Sequence, residues 1–153
     1  MQENRNIIIR EADPGDIEDI CRLLALLFEQ EVEFEPDYEM QKRGVSEIVS
    51  DPHKGLFLVI EESGCITGCV SLLFLVSTAL GGKTAILEDM IIEPGARCRG
   101  LGSRLLDKAI DCAREKGCLR ITVLTDKNNE SAQKLYEKSS FKKSPMIPMR
   151  LIL

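Results

Sequence analysis

The residues with the clearest chemical potential stand in the stretch EPGARCRGLGSRLL, where two arginines and two glycines lead directly into an amphipathic run. Such a loop before a helix leaves unpaired main-chain N–H groups that attract an anion. Gly100 and Gly102 remove side chains that would hold a phosphate away, and Arg97 and Arg99 add positive charge. The stretch therefore predicts a phosphate-binding loop, although a glycine turn with solvated arginines has the same spacing.

Two common nucleotide-binding patterns fit this chain poorly. A dinucleotide fingerprint needs a third glycine at the position where this chain has Leu105. A P-loop ending in Gly82, Lys83 and Thr84 would need its first glycine at the position of Ser77. A nucleotide-binding protein is therefore a disfavoured alternative.

The elements that must position the loop follow from the spacing of apolar residues. The expected order is β-α-α-β-β-β-α-β-α-β, and because no linker or repeat interrupts it, residues 1–153 are predicted to form one domain. Asp13 and Asn129 are expected to cap helices, and Gly117 is expected to end the helix that follows the loop. The predicted strands cover residues 6–10, 56–62, 66–76, 84–92, 120–125 and 146–153. The predicted helices run from Pro14 to about Phe28, over residues 38–50, from about Gly100 to Gly117, and onward from Asn129.

Composition narrows the class of protein. A net charge of −5 argues against a nucleic-acid partner, and no apolar run is long enough to span a membrane. The first residues lack the basic flank and apolar stretch of a secretion signal, which predicts a cytoplasmic protein. The six cysteines are then expected to be reduced thiols. There is no CxxC pair and His53 is the only histidine, so no metal site is expected.

Two motifs together resemble the GNAT superfamily of acyl-CoA-dependent N-acetyltransferases. The pattern RxxGxG is met by Arg97, Gly100 and Gly102 after a strand, and the pattern NxxAxxLYEK begins at Asn129. Ser140 stands where the family usually has a glycine, and serine would be strained there if φ is positive. The resemblance covers nearly the whole chain in the order of its elements.

The resemblance implies an α/β (α+β) fold, with a mixed, mainly antiparallel and splayed sheet of six to seven strands and about four helices. It also implies acetyl-CoA as co-substrate, with its pyrophosphate on main-chain N–H groups of the loop and its pantetheine arm along a strand. For Asn129, capping its own helix is an equally good interpretation. The residues implied to bind acetyl-CoA are Met90, Ile91, Ile92, Arg97, Cys98, Arg99, Gly100, Leu101, Gly102, Ser103 and Asn129.

The same resemblance implies two catalytic residues. Tyr136 matches the general acid that protonates the leaving thiolate, although without the motif it would be interpreted as a core tyrosine. Glu88 matches a base that takes a proton from the attacking amine. Because successive side chains of a strand point to opposite faces, Glu88 and Asp89 are not expected to share a role, and Asp89 is interpreted as structural.

The acceptor is predicted to be a small, cationic amine. Residues 29–39 carry six acidic side chains and no basic one, and an acidic rim would attract such an amine, although a solvated acidic loop is the alternative. A homodimer is compatible with the habit of the family, with the last apolar strand buried in one chain or shared between two. A non-catalytic acyl-CoA sensor or interaction module is the alternative function.

Overall fold

The structure, a computed structural model, describes residues 6–31, 33 and 35–153. These residues form a five-stranded sheet and four α-helices. The strands are β1 (Ile7–Glu11), β2 (Gly55–Glu62), β3 (Cys65–Ser77), β4 (Gly82–Ile92) and β5 (Ile121–Val123). The helices are α1 (Ile17–Gln30), α2 (Tyr38–Ser50), α3 (Leu101–Glu115) and α4 (Glu130–Lys138), and the short 3-10 turns Pro14–Asp16 and Pro94–Ala96 precede α1 and α3.

The strands lie in chain order across the sheet. Strands β1 to β4 pair antiparallel, and β5 pairs parallel to β4 over only three residues, 85–87 opposite 121–123. The turn between β2 and β3 places both Ser63 and Gly64 at positive φ. The predicted mixed, mainly antiparallel sheet is confirmed.

Two hydrophobic cores cover the two faces of the sheet. Along β2, Leu56 and Leu58 belong to a core shared with α3, whereas Phe57 and Val59 belong to a core shared with α1. This alternation is the expected result of a strand that is buried on both faces. We call these the α3-side core and the α1-side core.

Local capping explains where the helices begin and end. Asp13 forms a capping box before α1, and Asp37 Oδ1 accepts a hydrogen bond of 2.9 Å from the N–H of Met40 at the start of α2. Gly117 follows α3 with a φ of 79°, a left-handed conformation that favours glycine. The predicted roles of Asp13 and Gly117 are confirmed.

The predicted strand over residues 146–153 is wrong. The described residues there form no helix or strand and their side chains are exposed. A strand needs a neighbour for its N–H and C=O groups, and none of the described strands pairs with this segment. The sheet therefore has five strands in the described residues rather than the expected six to seven, and β5 is shorter than the predicted 120–125.

None of the helices formed by the described residues combines the length and apolar character that crossing a bilayer requires.

Candidate active site

Strand β4 contains a β-bulge at Asp89. The register with β3 shifts by one residue between the pair Ser71–Glu88 and the pair Cys69–Ile91, so two residues of β4 face one residue of β3. Asp89 has a φ of 51°, in the left-handed region that few residues other than glycine adopt. Its carbonyl oxygen lies 3.7 Å from the Cys69 thiol, a weak donor. Bulges of this kind redirect side chains next to active sites.

The bulge changes which face of the sheet the side chains of β4 contact. Before it, Leu87 belongs to the α3-side core. After it, Met90 packs against the α3-side core and Ile91 belongs to the α1-side core, the reverse of what strict alternation from Leu87 would give. The charges of Glu88 and of Glu31, which follows α1, act on Asp89, so we infer that Glu88 and Asp89 both lie on the α1 side. The expectation that they point to opposite faces assumed an unbroken strand, which the bulge interrupts.

Asp89 is a partly buried carboxyl group with other acids nearby. Burial, followed by the negative charges of Glu88 and Glu31, raises the pKa of Asp89 from 3.8 to about 7. Glu31 follows the last residue of α1, and its own pKa is raised by burial and then by the charges of Asp126, Glu88 and Glu33. We call Glu31, Glu33, Glu88, Asp89 and Asp126 the acidic cluster. Such a cluster can hold a proton near neutral pH and attract a cation.

Tyr136 is buried on α4, against the other face of β4. Its hydroxyl group lies 3.8 Å from the sulfur of Met90, and its ring packs at 5.6 Å, centroid to centroid, on the ring of Phe141. Burial raises the pKa of Tyr136 to about 12, so the phenol is protonated at neutral pH. The structure thus brings the predicted acid, Tyr136, next to Met90, one of the predicted acetyl-CoA contacts.

Strands β4 and β5 separate at the position of the bulge. Their parallel pairing ends at the pair Leu87–Val123, and β4 continues to Ile92 without a further β5 partner among the described residues. The opening exposes one edge of β4 between the acidic cluster and Tyr136. An unpaired strand edge of this kind can accept an extended ligand as an additional strand.

Helix α3 begins beside this edge without a side-chain cap. Gly100, at the cap position, and Cys98 both have positive φ, 74° and 59°. When left-handed residues alternate before a helix, their main-chain N–H groups point into a shared concavity. Such a concavity binds anions. The predicted phosphate loop therefore has the main-chain geometry that its sequence suggested.

Gly102 leaves open the space between the loop and the strand edge. A Cβ atom at this position would lie 3.8 to 3.9 Å from the side chains of Leu135, Ile92 and Met90. These residues belong to α4 and to the part of β4 that β5 leaves unpaired. A side chain at position 102 would therefore project toward the predicted path of the donor.

The side chains of both loop arginines contact the protein itself. Arg97 Nε donates to the carbonyl of Ile92 at 2.8 Å, and Arg99 binds the carboxylate of Glu62 with two hydrogen bonds of 2.8 and 2.9 Å. Glu62 is only 6% exposed, so this ion pair anchors the loop to β2. In this arrangement the arginines hold the shape of the loop, and their contact with acetyl-CoA stays a prediction.

Asn129 caps α4 in the structure. Its Oδ1 accepts a hydrogen bond of 3.1 Å from the N–H of Ala132. The capping interpretation of Asn129 is confirmed, and its contact with the pantetheine arm stays a prediction. His53 is exposed in the turn between α2 and β2, where its N–H donates to Asp51, and it contributes nothing to the site.

The residues present fit an acyl-CoA. An uncapped helix start suits a pyrophosphate, the glycine at position 102 leaves room beside it, and the free edge of β4 suits the amide groups of pantetheine. Among the residues that the structure describes, no group of three or more His, Cys, Asp and Glu side chains is arranged to hold a metal ion. A surface hollow lined by Glu39, Lys42, Arg43, Ser46 and Glu47 lies on α2 and contains none of the predicted site residues.

Sequence reasoning missed Asp89 and Asp126 as members of the site. Asp89 was interpreted as structural, because the bulge has no glycine or other local signal that would reveal it. Asp126 follows β5, and only the tertiary fold brings it near Glu31. Adjacent acids inside an apolar strand were the available signal, because a carboxyl group in such a place needs a functional or structural reason.

The fold and this site together define the class of acyl-CoA-dependent transferases. A comparison with models of known families gives the family. The model described as the Acetyltransferase (GNAT) family matches residues 17–141. The chain therefore belongs to the GNAT acetyltransferase family, and both the predicted family and the predicted class of enzyme are confirmed.

Individual relatives cover the chain to different extents. The N-acetyltransferase YhfO of Bacillus subtilis is 34% identical over 89 residues, which are 58% of this chain and 60% of YhfO. Thialysine N-epsilon-acetyltransferase of Bos taurus is 27% identical over 146 residues, which are 86% of this chain and 81% of the relative.

Solved structures share the fold over almost the full length. A transcriptional regulator from Bacillus halodurans superposes with a TM-score of 0.80 at 30% identity, covering 97% of this chain and 100% of the other. A predicted acetyltransferase from Clostridium acetobutylicum, solved with acetyl-CoA, gives a TM-score of 0.80 at 19% identity, covering 95% and 96%.

Proposed function

We propose that this chain is an N-acetyltransferase that transfers the acetyl group of acetyl-CoA to a primary amine of a small, cationic acceptor by direct attack, with residues 1–153 acting as one domain. The observation that carries the proposal is the opening between β4 and β5. It lies beside the uncapped start of α3, with the acidic cluster on one face of β4 and Tyr136 on the other. This arrangement supports the approach of the donor and the acceptor from opposite faces.

Bound acetyl-CoA would supply an activated thioester. Main-chain N–H groups of residues 98–103 would bind its pyrophosphate, and the free edge of β4 would orient its pantetheine arm. A main-chain N–H near Met90 or Ile91 would hydrogen-bond the thioester carbonyl and stabilise the negative charge that develops there.

Proton transfer is assigned to both faces of β4. An ammonium group cannot attack a thioester, so a base must first take a proton from the acceptor, directly or through water. We assign this role to Asp89, whose pKa of about 7 suits a base at neutral pH, with Glu88, the predicted base, beside it. The Tyr136 hydroxyl donates its proton to the leaving sulfur, because burial keeps the phenol protonated.

The acidic cluster supports a cationic acceptor. It gathers five carboxyl groups near the α1 end of the opening, and their negative charges would attract a cationic amine. The name of one relative, thialysine N-epsilon-acetyltransferase, supports an acceptor with a side-chain amine. All six cysteines are free, which supports the proposed location in the reducing cytoplasm.

Isothermal titration with acetyl-CoA tests the donor site. We expect the wild type to bind and Gly100→Glu, which places bulk and negative charge in the phosphate loop, to lose binding. Gly64→Glu is the matched control, because Gly64 has a similar positive φ of 84°, against 74° at Gly100, and no atom within 4 Å of either added Cβ. Wild type that does not bind acetyl-CoA would refute the proposal.

A transfer assay tests the acceptor. Release of free thiol should be fastest with polyamines and lysine-like amines and slow with an anionic amino sugar phosphate. Binding of acetyl-CoA without transfer to any amine would refute the enzyme and favour an acyl-CoA sensor.

A further inference from the structure

The guanidinium group of Arg150 lies beside the acidic cluster. Arg150 belongs to residues 146–153, which we call the tail, and it forms an ion pair with Glu33, 117 positions earlier in the chain. Burial and neighbouring carboxylates raise the pKa of Glu31, and the positive charge of Arg150 acts on it in the opposite direction. A cation that belongs to the chain itself therefore already neutralises part of the proposed acceptor site.

This ion pair lies on the solvent side of the cluster. The side chains of Arg150 and Glu33 are 47% and 57% exposed, whereas Asp89, the proposed base, is partly buried in β4. An acceptor that enters from solvent meets the guanidinium group before it reaches Asp89. Because like charges repel, it is costly for a cationic acceptor and Arg150 to bind closely to Glu33 at the same time.

The contact of Arg150 with the cluster is weak enough to be broken. None of the described residues of the tail is in a helix or strand, so releasing the tail breaks no main-chain pairing of the sheet. An exposed ion pair contributes little to stability, because water screens it and both long side chains lose freedom. Yet the tether keeps a group of the same chain at an effective concentration on the order of millimolar. Arg150 can therefore compete with an acceptor that is present at similar concentrations.

We propose that Arg150 is an internal competitor of the acceptor: its guanidinium group occupies Glu33 until an amine with more than one positive charge displaces it. The proposal rests on the function proposed above, because it takes the acidic cluster as the acceptor site. A single ammonium group can bind at the inner carboxylate, Asp89, without contacting Glu33. A polyamine extends over both carboxylates and must displace the guanidinium group, so the competition lowers its apparent affinity.

Isothermal titration of spermidine, a polyamine, into the full chain with excess CoA and low salt tests the competition. Arg150→Gln removes the positive charge and keeps a long polar side chain, so we expect it to bind spermidine about two- to fivefold more tightly than the wild type. Arg114→Gln is the matched control, because Arg114 forms a similar exposed ion pair with Asp111 on α3, and this variant should bind like the wild type. Circular dichroism melting verifies that each variant is folded.

Two further comparisons separate competition between charges from a structural effect of the substitution. Butylamine, which has a single positive charge, should bind the wild type and Arg150→Gln with nearly equal affinity. The difference between the two proteins for spermidine should shrink as the salt concentration rises, because salt screens exposed charges. A structural change of the site would alter the binding of both amines and would depend little on salt.

Equal affinity of the wild type and Arg150→Gln for spermidine would overturn the proposal, and so would the absence of spermidine binding in both or an equal gain for butylamine. Weaker binding by Arg150→Gln would overturn it as well, because the guanidinium group would then recruit the acceptor. Tighter spermidine binding by the variant, without acetyl transfer by the wild type, would support the competition and refute the enzyme. Acetyl transfer with equal affinities would refute only the competition.

Discussion

The hydroxyl group of Tyr136 lies 3.8 Å from the sulfur of Met90, and this contact joins α4 to β4 directly after the bulge. A thioether sulfur is a weak acceptor, so the phenol keeps its capacity to donate to a better partner. The bulge places Met90 on this face and Asp89 on the other. The same local irregularity therefore orients the proposed base and the residue that contacts the proposed acid.

Tyr136→Phe should lower kcat by about tenfold to a hundredfold and leave KM nearly unchanged, because the hydroxyl acts on the leaving thiolate and the ring is retained. Thermal stability should change little, since the ring still packs on Phe141. Steady-state kinetics with melting curves check both points. An unchanged kcat would show that the hydroxyl only fills space.

The pH dependence of kcat/KM should show a rise through about pH 7 as Asp89 loses its proton. Asp89→Asn should abolish this rise of kcat/KM with pH and most of the activity. Glu88→Gln removes a negative charge that raises the pKa of Asp89, so the rise of kcat/KM should occur at lower pH. The amine of the acceptor is the same in all three proteins, so a shift between them reports the enzyme. A pH profile unaffected by Glu88→Gln would contradict the assignment.

Asp89 should also make the stability of the fold depend on pH. Its pKa is higher in the folded state than in the unfolded chain, so its contribution is fully present below about pH 4 and is lost as the pH rises through about 7. Asp89→Asn should remove this dependence and raise the free energy of unfolding at pH 8 by on the order of 2 kcal/mol. Urea unfolding at pH 5 and pH 8 measures the difference. If the free energy of unfolding changes equally with pH in the wild type and in Asp89→Asn, the result would be inconsistent with a raised pKa of Asp89.

Gly102→Ala should stabilise the protein while weakening acetyl-CoA binding. Alanine favours a helix over glycine by up to about 1 kcal/mol, and the added Cβ would meet its neighbours at ordinary distances of 3.8 to 3.9 Å. The same methyl group projects toward the donor, so we expect roughly tenfold weaker binding, about 1.4 kcal/mol. Melting curves and titration on one sample compare the effects. Unchanged affinity would mean that the donor does not pass Gly102.

Ser140→Gly should raise the free energy of unfolding by about 1 kcal/mol, because Ser140 has a φ of 71° and glycine adopts this conformation without strain. Ser139→Gly is the matched control. The adjacent Ser139 has a φ of −90°, so glycine there should destabilise by about 0.5–1 kcal/mol through the entropy of the unfolded chain. If both variants change stability in the same direction, backbone strain at Ser140 is not the cause.

The elements with a strong local signal were predicted from the sequence. Helix α3 follows its apolar stripe, and Asp13, Asn129 and Gly117 begin or end helices as their types require. The loop at Gly100 was predicted because a glycine directly before a helix indicates a backbone conformation that other residues rarely adopt.

The features that the sequence did not reveal depend on distant contacts. The bulge at Asp89 arises from the register with β3, and no glycine marks it. The pairing of Arg99 with Glu62 joins residues 37 positions apart, so no local pattern indicates it. Residues 146–153 have the apolar composition of a strand, but composition does not show whether a neighbouring strand is available to pair with them.

The bonds of Arg97 to Ile92 and of Arg99 to Glu62 have a consequence for the thermodynamics of donor capture. A loop that is already fastened to two strands has little conformational entropy left to lose, so its contribution to affinity is not reduced by an ordering penalty. In the proposed complex, the loop would therefore act as a preformed template for the pyrophosphate.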